Sequence, residues 1–284
     1  FVRPRFEVYR EISRAVRAIF RAFTDAIEPL ALDEAYLDVT GAPHEDGSAT
    51  RMAARVKERI RAETRLTASA GVSYNKFLAK LASDQDKPDG LCVIEPGEGP
   101  GYVAALDVRR IHGVGPATAA RMHALGIRTG ADLQAWSREA LTARFGRAGA
   151  RYHGLARGID ERPVNPSRVR KSVGQETTFD TDLVRLADME AVLERLAGRV
   201  GQRLAELERR GRTLTVKVRF ADFSLVTRSA TRASGFASAD AMRPLLPELL
   251  RRACAEGTAV RLLGVTVSNL EVADRRQPEL WPSA

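Results

Sequence analysis

The sequence predicts an α+β protein of several domains: a unit with a mixed sheet, an all-helical segment, and a C-terminal α/β unit. Three observations favour this organisation. Helical and strand patterns alternate over residues 1–95. A break rich in Pro and Gly at residues 95–101 precedes a helical stretch that continues to residue 158. Beyond residue 172, strand patterns are interleaved with two helical patterns.

Composition narrows the class of function. A chain of 284 residues is long enough for two or three domains. Its net charge of +9 is carried mainly by Arg, which favours a polyanionic partner, most simply nucleic acid. Genomic base bias explains Arg in place of Lys but not the net excess. The two cysteines, Cys92 and Cys254, lie far apart and argue against a zinc site or a disulfide framework. With no signal peptide and no apolar run near ~18 residues, a cytoplasmic protein without a membrane partner is expected.

The N-terminal unit reads as a regular succession of elements. Ser48 is placed to cap a helix, and Lys76 and Lys80 are expected on the outward face of another helix. The predicted order is a helix over 7–23, strands over 27–32 and 35–39, a helix from Ser48 to 64, a strand over 66–72, a helix over 75–83, a loop over 84–90 and a strand over 91–94. These elements predict one mixed sheet.

Two adjacent carboxylates, Asp33 and Glu34, interrupt the strand-like run between Leu32 and Val39. Neighbouring residues of a strand point to opposite faces, so the two carboxylates can converge only if the chain turns sharply there. Converging carboxylates repel unless a cation or proton lies between them, and hard oxygen ligands suit Mg²⁺ or Mn²⁺. The alternative is an ordinary surface pair at a turn.

The helical stretch contains the sequence Gly113-Val114-Gly115-Pro116. The two glycines permit a tight turn, and Pro116 suits the first position of a helix. A hairpin of this kind exposes backbone N–H groups that fit a phosphate oxygen of a nucleic-acid strand. A helix-turn-helix that serves only packing is the alternative.

Basic residues follow in a linker, residues 160–171, and in the last unit. The linker carries Arg168, Arg170 and Lys171, and its lack of periodicity predicts an extended segment able to lie along a polyanion. The last unit is expected to have strands over 172–179, 213–220, 225–232 and 260–270 and helices over 189–207 and 239–255. The even spacing within each strand predicts one basic face of the sheet, formed by Lys217, Arg219, Arg228 and Arg232. This face would bind nucleic acid; the alternative is a face that only meets solvent.

Together these stretches resemble the Y-family DNA polymerases, specifically their bacterial DinB (DNA polymerase IV) branch. The matching segments occur in the family order and cover almost the whole chain: residues 27–40 around Leu32-Asp33-Glu34-Ala35-Tyr36-Leu37-Asp38, residues 66–83, Asp86-Lys87-Pro88-Asp89-Gly90, the Gly113–Gly115 hairpin, and Arg170-Lys171-Ser172-Val173-Gly174-Gln175-Glu176.

The resemblance implies domains and roles. Residues 1–95 would be a partial palm, 96–159 the thumb with its helix-hairpin-helix, 172–275 the little finger and 276–284 a tail. Asp33 would be a metal ligand and Glu34 its catalytic, metal-binding neighbour. Lys87 would contact the triphosphate of the incoming nucleotide, and Asn75 and Lys76 would lie beside the primer strand.

The implied activity is translesion DNA synthesis: nucleotidyl transfer from a deoxynucleoside triphosphate to a primer on a DNA template, with two Mg²⁺ or Mn²⁺ ions. The protein is expected to act as a monomer. Two departures from the family pattern stand out. Ala31 replaces the usual Ser, and the sequence starts after the strand that carries the first metal-binding Asp. The chain alone is therefore expected to bind DNA but to extend primers weakly or not at all.

The C-terminal tail loosely resembles the clamp-binding peptide of the family, through Gln277, Leu280 and Trp281. An ordinary polar tail fits equally well, since short motifs match often by chance. Two further classes of function stay open. One is a catalytically silent, polymerase-like accessory protein, which the retained Asp33 and Glu34 disfavour. The other is the DNA-binding module of a nuclease or repair scaffold, which the lack of a second acidic or His cluster disfavours.

Overall fold

The computed structural model describes residues 2, 4–43, 47–167 and 169–273. The chain forms two compact units, Phe1–Arg168 and Val169–Ala284. The first unit contains the elements α1 (Phe6–Arg21), β1 (Ile27–Pro29), β2 (Ala35–Leu37), α2 (Ala49–Thr64), β3 (Ala70–Ser73), α3 (Lys76–Gln85), β4 (Leu91–Ile94), α4 (Gly99–Ala104), α5 (Pro116–Ala124), α6 (Gly130–Gln134), α7 (Arg138–Phe145) and α8 (Arg147–Ala156).

The order of the elements up to β4 agrees with the prediction, but the single mixed sheet was wrong. In the described residues, β1 pairs only with β2, antiparallel, and β3 only with β4, parallel. The reason lies in strand length. The β1–β2 ladder ends after three pairs because Pro29 has no N–H to donate and the next amides close the turn. Four short strands therefore form two separate ladders.

Local signals set the helix boundaries well. The hydroxyl of Ser48 accepts the amide of Arg51 and caps α2, as predicted. The helical stretch after residue 95 is confirmed, and α5 begins at Pro116 directly after the Gly-Val-Gly turn. One hydrophobic cluster runs from Phe77 in α3 to Ala156 in α8, so α3 and the later helices share a core.

The second unit is a four-stranded antiparallel sheet in the order β5-β8-β6-β7, covered on one face by helices. Its elements are β5 (Ser172–Leu183), α9 (Leu186–Glu206), β6 (Arg209–Phe220), β7 (Leu225–Phe236), α10 (Ala239–Met242), α11 (Leu246–Arg251) and β8 (Val260–Val272). The helix predicted over 239–255 is broken into α10, a 3₁₀ turn and α11. Pro244 and Pro247 explain the break, since neither can donate a helical hydrogen bond.

The inner face of this sheet packs on α9 through a continuous apolar core. Its fully buried members include Leu193, Val200, Leu214, Val216, Val218, Val265 and Val267. The opposite face has no helix on it among the described residues and is called the open face below.

Candidate active site

The carboxylate hairpin, residues 27–37, places Asp33 and Glu34 at its tip. The backbone carbonyl of Glu34 accepts the amides of Leu30 at 2.9 Å and Ala31 at 3.3 Å, which closes a tight turn. Both acidic side chains are exposed. The predicted sharp turn is therefore present, with the two carboxylates adjacent at its end.

The two carboxylates differ in their partners. The Glu34 Oε1 atom lies 3.1 Å from the Nζ atom of Lys80 on α3. Asp33 makes no hydrogen bond or ion pair within the part of the chain that the structure describes. It is thus the less encumbered oxygen donor of the pair.

Lys87 lies in a loop near this tip. Its ammonium is 2.6 Å from Asp84, and that hydrogen bond is the main cause that raises the pKa of Lys87; Glu34 and Asp33 add to the shift. Lys57 on α2 anchors the loop by donating to the carbonyls of Asp89 at 2.6 Å and Gly90 at 2.9 Å. Sequence reasoning missed Lys57, because no local pattern links α2 to a loop thirty residues later.

Lys76 does not point outward, as predicted, but is buried with 8% of its surface exposed. Its Nζ atom lies 2.6 Å from Glu28 Oε2 and 2.9 Å from the carbonyl of Pro163, and 5.3 Å from the centre of the Tyr36 ring. The correction has a physical reason. Position 76 faces β1, where Glu28 supplies the opposite charge that a buried ammonium requires.

Both polar atoms of the Asn75 side chain also make hydrogen bonds within the protein. Its side-chain oxygen caps α3 at the amide of Leu78, and its amide nitrogen donates to the carbonyl of Gly158 at 2.7 Å. These bonds tie α3 to the segment that follows α8. The primer-strand role of Asn75 and Lys76 is untested, but in this structure both side chains serve internal contacts.

The predicted linker has no helix or strand in its described residues. Hydrogen bonds and an ion pair hold its first part, residues 160–165, in place. Glu28 accepts the amide of Asn165 at 2.8 Å, and Asp160 forms a two-bond ion pair with Arg162 at 2.6 and 2.7 Å. Burial acts to raise the pKa of Glu28, but the hydrogen bonds from Lys76 and Asn165 outweigh it and hold the pKa below the usual value.

The later basic residues of the linker are less restrained. Arg170 and Lys171 are exposed and make no hydrogen bond or ion pair with any described residue. Arg168 lies outside the described residues.

The Gly113–Gly115 turn precedes α5 as predicted, with Gly113 at φ 98°. Val114 is buried, and its amide donates to the carbonyl of Ile111 at 2.9 Å. Among the three residues of the turn, the amides of Gly113 and Gly115 make no hydrogen bond with any described residue. The turn therefore offers two N–H groups rather than three.

Cationic side chains lie around His112, next to this turn. Burial lowers the pKa of His112, and Lys80, Arg151 and Arg162 lower it further. Because Lys80 also contacts Glu34, positive charge lies close to the carboxylates on the side of the Gly113–Gly115 turn.

The predicted basic sheet face was wrong for Arg228. Register pairs Arg228 with Val216, which is buried against the helices, so Arg228 lies on the covered face; its Nε atom donates to the carbonyl of Arg252 at 2.8 Å. Arg232, four residues along the strand, lies 6.0 Å from the ring centre of buried Phe236. The spacing within each strand is even, but strand pairing decides which parity faces out.

Lys217 and Arg219 do lie on the open face, among mostly small and hydroxyl-bearing residues. Lys217 pairs with Glu176 at 2.7 Å, across Gly264 of the strand between them. A Cβ atom on Gly264 would lie 3.1 Å from the Cβ atom of Glu176, so the glycine makes room for this pair. Hydroxyl pairs line the rest of β6 and β7, Thr213 with Thr231 and Thr215 with Ser229.

The hairpin tip offers two exposed carboxylates as ligands for a metal ion. In the described residues no group of three or more His, Cys, Asp or Glu side chains could enclose an ion. Mg²⁺ in nucleotide sites commonly takes one or two carboxylates and completes its shell with phosphates and water. Asp33 and Glu34 fit that arrangement.

The residues Gln277, Leu280 and Trp281 lie outside the described residues. None of the helices in the described ranges has the length and apolar character needed to cross a bilayer.

Comparison with known proteins agrees with this architecture. Residues 1–84 match the impB/mucB/samB family, residues 170–280 its C-terminal domain, and residues 109–160 the thumb domain of DNA polymerase-iota. The chain is 52% identical over 277 residues to DNA polymerase IV of Halorhodospira halophila. This alignment covers 98% of the chain and 78% of that protein. DNA polymerase IV of Alkalilimnicola ehrlichii is 54% identical over 273 residues, with coverage of 95% and 76%.

Solved structures show the same likeness. A chimera of the Y-family DNA polymerases Dbh and Dpo4 matches with a TM-score of 0.82 and 28% identity, over 94% of this chain and 78% of that one. An insertion ternary complex of Dbh DNA polymerase matches with a TM-score of 0.58 and 26% identity, at the same coverage.

The family models and the relatives that are about 50% identical over nearly the whole chain show the class of protein: a nucleic-acid polymerase of the Y-family, to which the chain belongs. Its relatives place it with the DinB, or DNA polymerase IV, type, and it is a DNA-directed DNA polymerase.

Proposed function

We propose that this protein carries out translesion DNA synthesis, adding nucleotides to a primer 3′-hydroxyl at a site centred on Asp33 and Glu34. The observation that carries the proposal is the hairpin tip itself. Two exposed carboxylates share one turn, with Lys80 and Lys87 beside them. A basic rim next to an acidic tip suits a substrate that arrives as a triphosphate together with a divalent ion.

Asp33 and Glu34 would hold Mg²⁺, or Mn²⁺, on their carboxylate oxygens. Two such ions supply charge neutralisation and polarise the attacking and leaving oxygens when bound. The side chains of the chain itself bind and orient the reactants. Lys87 would exchange its contact with Asp84 for the triphosphate, held in reach by the loop that Lys57 anchors.

DNA contact is proposed for three places. The amides of Gly113 and Gly115 would bind one backbone phosphate at the start of α5. Arg170 and Lys171 would contact the phosphate backbone of a DNA strand. On the open face Lys217 and Arg219 would approach a phosphate backbone, with the hydroxyl pairs beside them.

The reaction is tested by primer extension with the full-length protein and its Asp33→Ala variant. Loss of a metal-binding carboxylate is expected to lower the extension rate on the order of 1000-fold, since metal ions contribute several kcal/mol to such reactions. Primer-template binding measured alongside should stay within about twofold. Equal extension rates would refute the assignment of Asp33.

The DNA surface is tested by the salt dependence of binding to primer-template DNA. Replacing Lys217 and Arg219 together with Ala should flatten the slope of log K against log salt by up to about two charges. Arg228→Ala, on the covered face, is the matched control and should leave the slope unchanged. A steeper effect from Arg228→Ala would reverse the proposed assignment of faces.

Partners beyond DNA and nucleotide are proposed on the likeness alone. The tail with Gln277, Leu280 and Trp281 would dock on a sliding clamp, and the protein would work as a monomer in the bacterial cytoplasm. Deleting residues 276–284 should then abolish co-migration with the clamp in gel filtration and leave primer-template affinity intact.

A further inference from the structure

Helix α3 holds the carboxylate hairpin through two lysines one helical turn apart. Lys76 pairs with Glu28 on β1 at 2.6 Å, and Lys80 pairs with Glu34 at the tip at 3.1 Å. Residues four apart lie on the same face of a helix, so both ammonium groups reach the same hairpin. The α3 helix therefore contacts the hairpin through one ion pair at its base and one at its tip.

The two ion pairs differ in accessibility. The side chains of Lys76 and Glu28 are 9% and 16% exposed; Lys76 also donates to the carbonyl of Pro163, and Glu28 also accepts the amide of Asn165. The side chains of Lys80 and Glu34 are 21% and 43% exposed, and Lys80 makes no other hydrogen bond within the described residues. The inner pair is a fixed anchor, whereas the outer pair can open into solvent.

We propose that Lys80 is a positioning residue: its ammonium is an internal counter-cation that occupies Glu34 until a divalent ion binds at Asp33 and Glu34. The inference rests on the proposed metal role of these two carboxylates. Lys80 screens the repulsion between the adjacent carboxylates and keeps Glu34 at the tip, while Asp33 stays open to receive the ion first.

The proposal has a consequence opposite to that of an ordinary structural lysine. An ion that approaches Glu34 must compete with an ammonium 3.1 Å from Oε1 and must tolerate its charge. Removing that charge should therefore strengthen binding of the ion, although it removes a contact. A lysine that merely supports the hairpin would have the reverse effect, because its loss would disorder the site.

The test is Mn²⁺ binding to the purified chain without DNA or nucleotide, followed by the electron paramagnetic resonance signal of free Mn²⁺. Lys80→Gln is expected to bind Mn²⁺ about three- to tenfold more tightly. Lys80→Arg, which keeps the charge, should stay close to wild type. Arg55→Gln is the matched control. Arg55 forms an ion pair with Glu58 on α2, with a distance of 3.0 Å between Nη1 and Oε2, and neither residue belongs to the hairpin. This variant should leave the Mn²⁺ affinity unchanged.

A double-mutant cycle assigns the effect to Glu34. The gain from Lys80→Gln should disappear in the Glu34→Gln background. A gain that persists there, or unchanged or weaker Mn²⁺ binding by Lys80→Gln alone, overturns the proposal. Thermal unfolding of each variant verifies that the hairpin unit remains folded. If Lys80→Gln does not fold, Lys80→Met, which also removes the charge, replaces it with the same expected gain.

Failure of the metal site itself gives a different result. If Asp33→Asn and Glu34→Gln leave Mn²⁺ affinity unchanged, the carboxylates do not bind the ion and the proposed function is wrong at its centre. If both weaken binding while Lys80→Gln has no effect, the metal site stands and only the role of Lys80 is refuted.

Discussion

The carboxylate hairpin and the sheet of the second unit represent two ways of holding polar groups at a surface. The hairpin strands are three residues long and depend on ion pairs to α3. The sheet strands β6, β7 and β8 have twelve or thirteen residues and rest on a continuous apolar core. Charge therefore positions the acidic site, whereas burial positions the open face.

This difference predicts where each region is sensitive. In the hairpin, changing a charge removes the contact that defines the geometry. In the sheet, register is set by the buried face, so polar substitutions on the open face leave the structure intact. Point substitutions in each region separate the two cases.

Val216→Asp should unfold the second unit or destabilise it by more than about 4 kcal/mol, because it buries an unpaired charge in a core position with 0% exposure. Thr215→Asp, one residue away on the open face, should cost only about 0.5 kcal/mol. Urea denaturation followed by far-ultraviolet circular dichroism compares the two. Similar losses would show that the open face is covered in solution.

Lys76→Met should destabilise the first unit by about 3 kcal/mol, since the largely buried Glu28 would lose its ammonium partner and keep only the amide of Asn165. Lys80→Met on the same helix should cost under about 1 kcal/mol, because its ion pair is solvated. Trp136 packs against the apolar core of the first unit, and its fluorescence during urea unfolding measures both costs. Equal costs would contradict the division into a fixed anchor and an opening pair.

Acid should weaken the first unit through Glu28 and Asp160. Burial opposes the shift in both, but Lys76 and Arg162 hold their pKa values below the ordinary 4.5 and 3.8. The unfolded chain then binds more protons, so this stabilisation is complete above those ordinary values and is lost as pH falls through the folded pKa values. Thermal midpoints measured by Trp136 fluorescence from about pH 6 to about pH 3 should show the loss, and Glu28→Gln should flatten it.

Asp84→Asn should have the smallest effect. It releases Lys87 from an exposed ion pair of 2.6 Å, a contact of the kind that contributes about 0.2–1 kcal/mol. Affinity for a fluorescent nucleoside triphosphate should therefore rise by at most about fivefold. Weaker nucleotide binding would indicate that Asp84 holds Lys87 in a productive position instead of restraining it.

Much of this molecule follows from sequence alone. The Asp33-Glu34 turn, the Ser48 cap, the start of α5 at Pro116 and the alternation within β6 are local properties, set by backbone chemistry over a few residues. Family order among the motifs likewise identified the polymerase class. The roles of Asp33, Glu34 and Lys87 in catalysis stay predictions, supported by the shared location of their side chains.

Only the tertiary structure decided which charges meet. Lys76 and Lys80 look alike in sequence, yet one is buried on Glu28, forty-eight residues away, and the other reaches Glu34 in solvent. Arg228 and Lys217 both sit at strand spacing, yet the register of β7 against β6 puts them on opposite faces. Periodicity reports how a segment alternates, but long-range pairing determines what each face meets, and that depends on partners no local pattern contains.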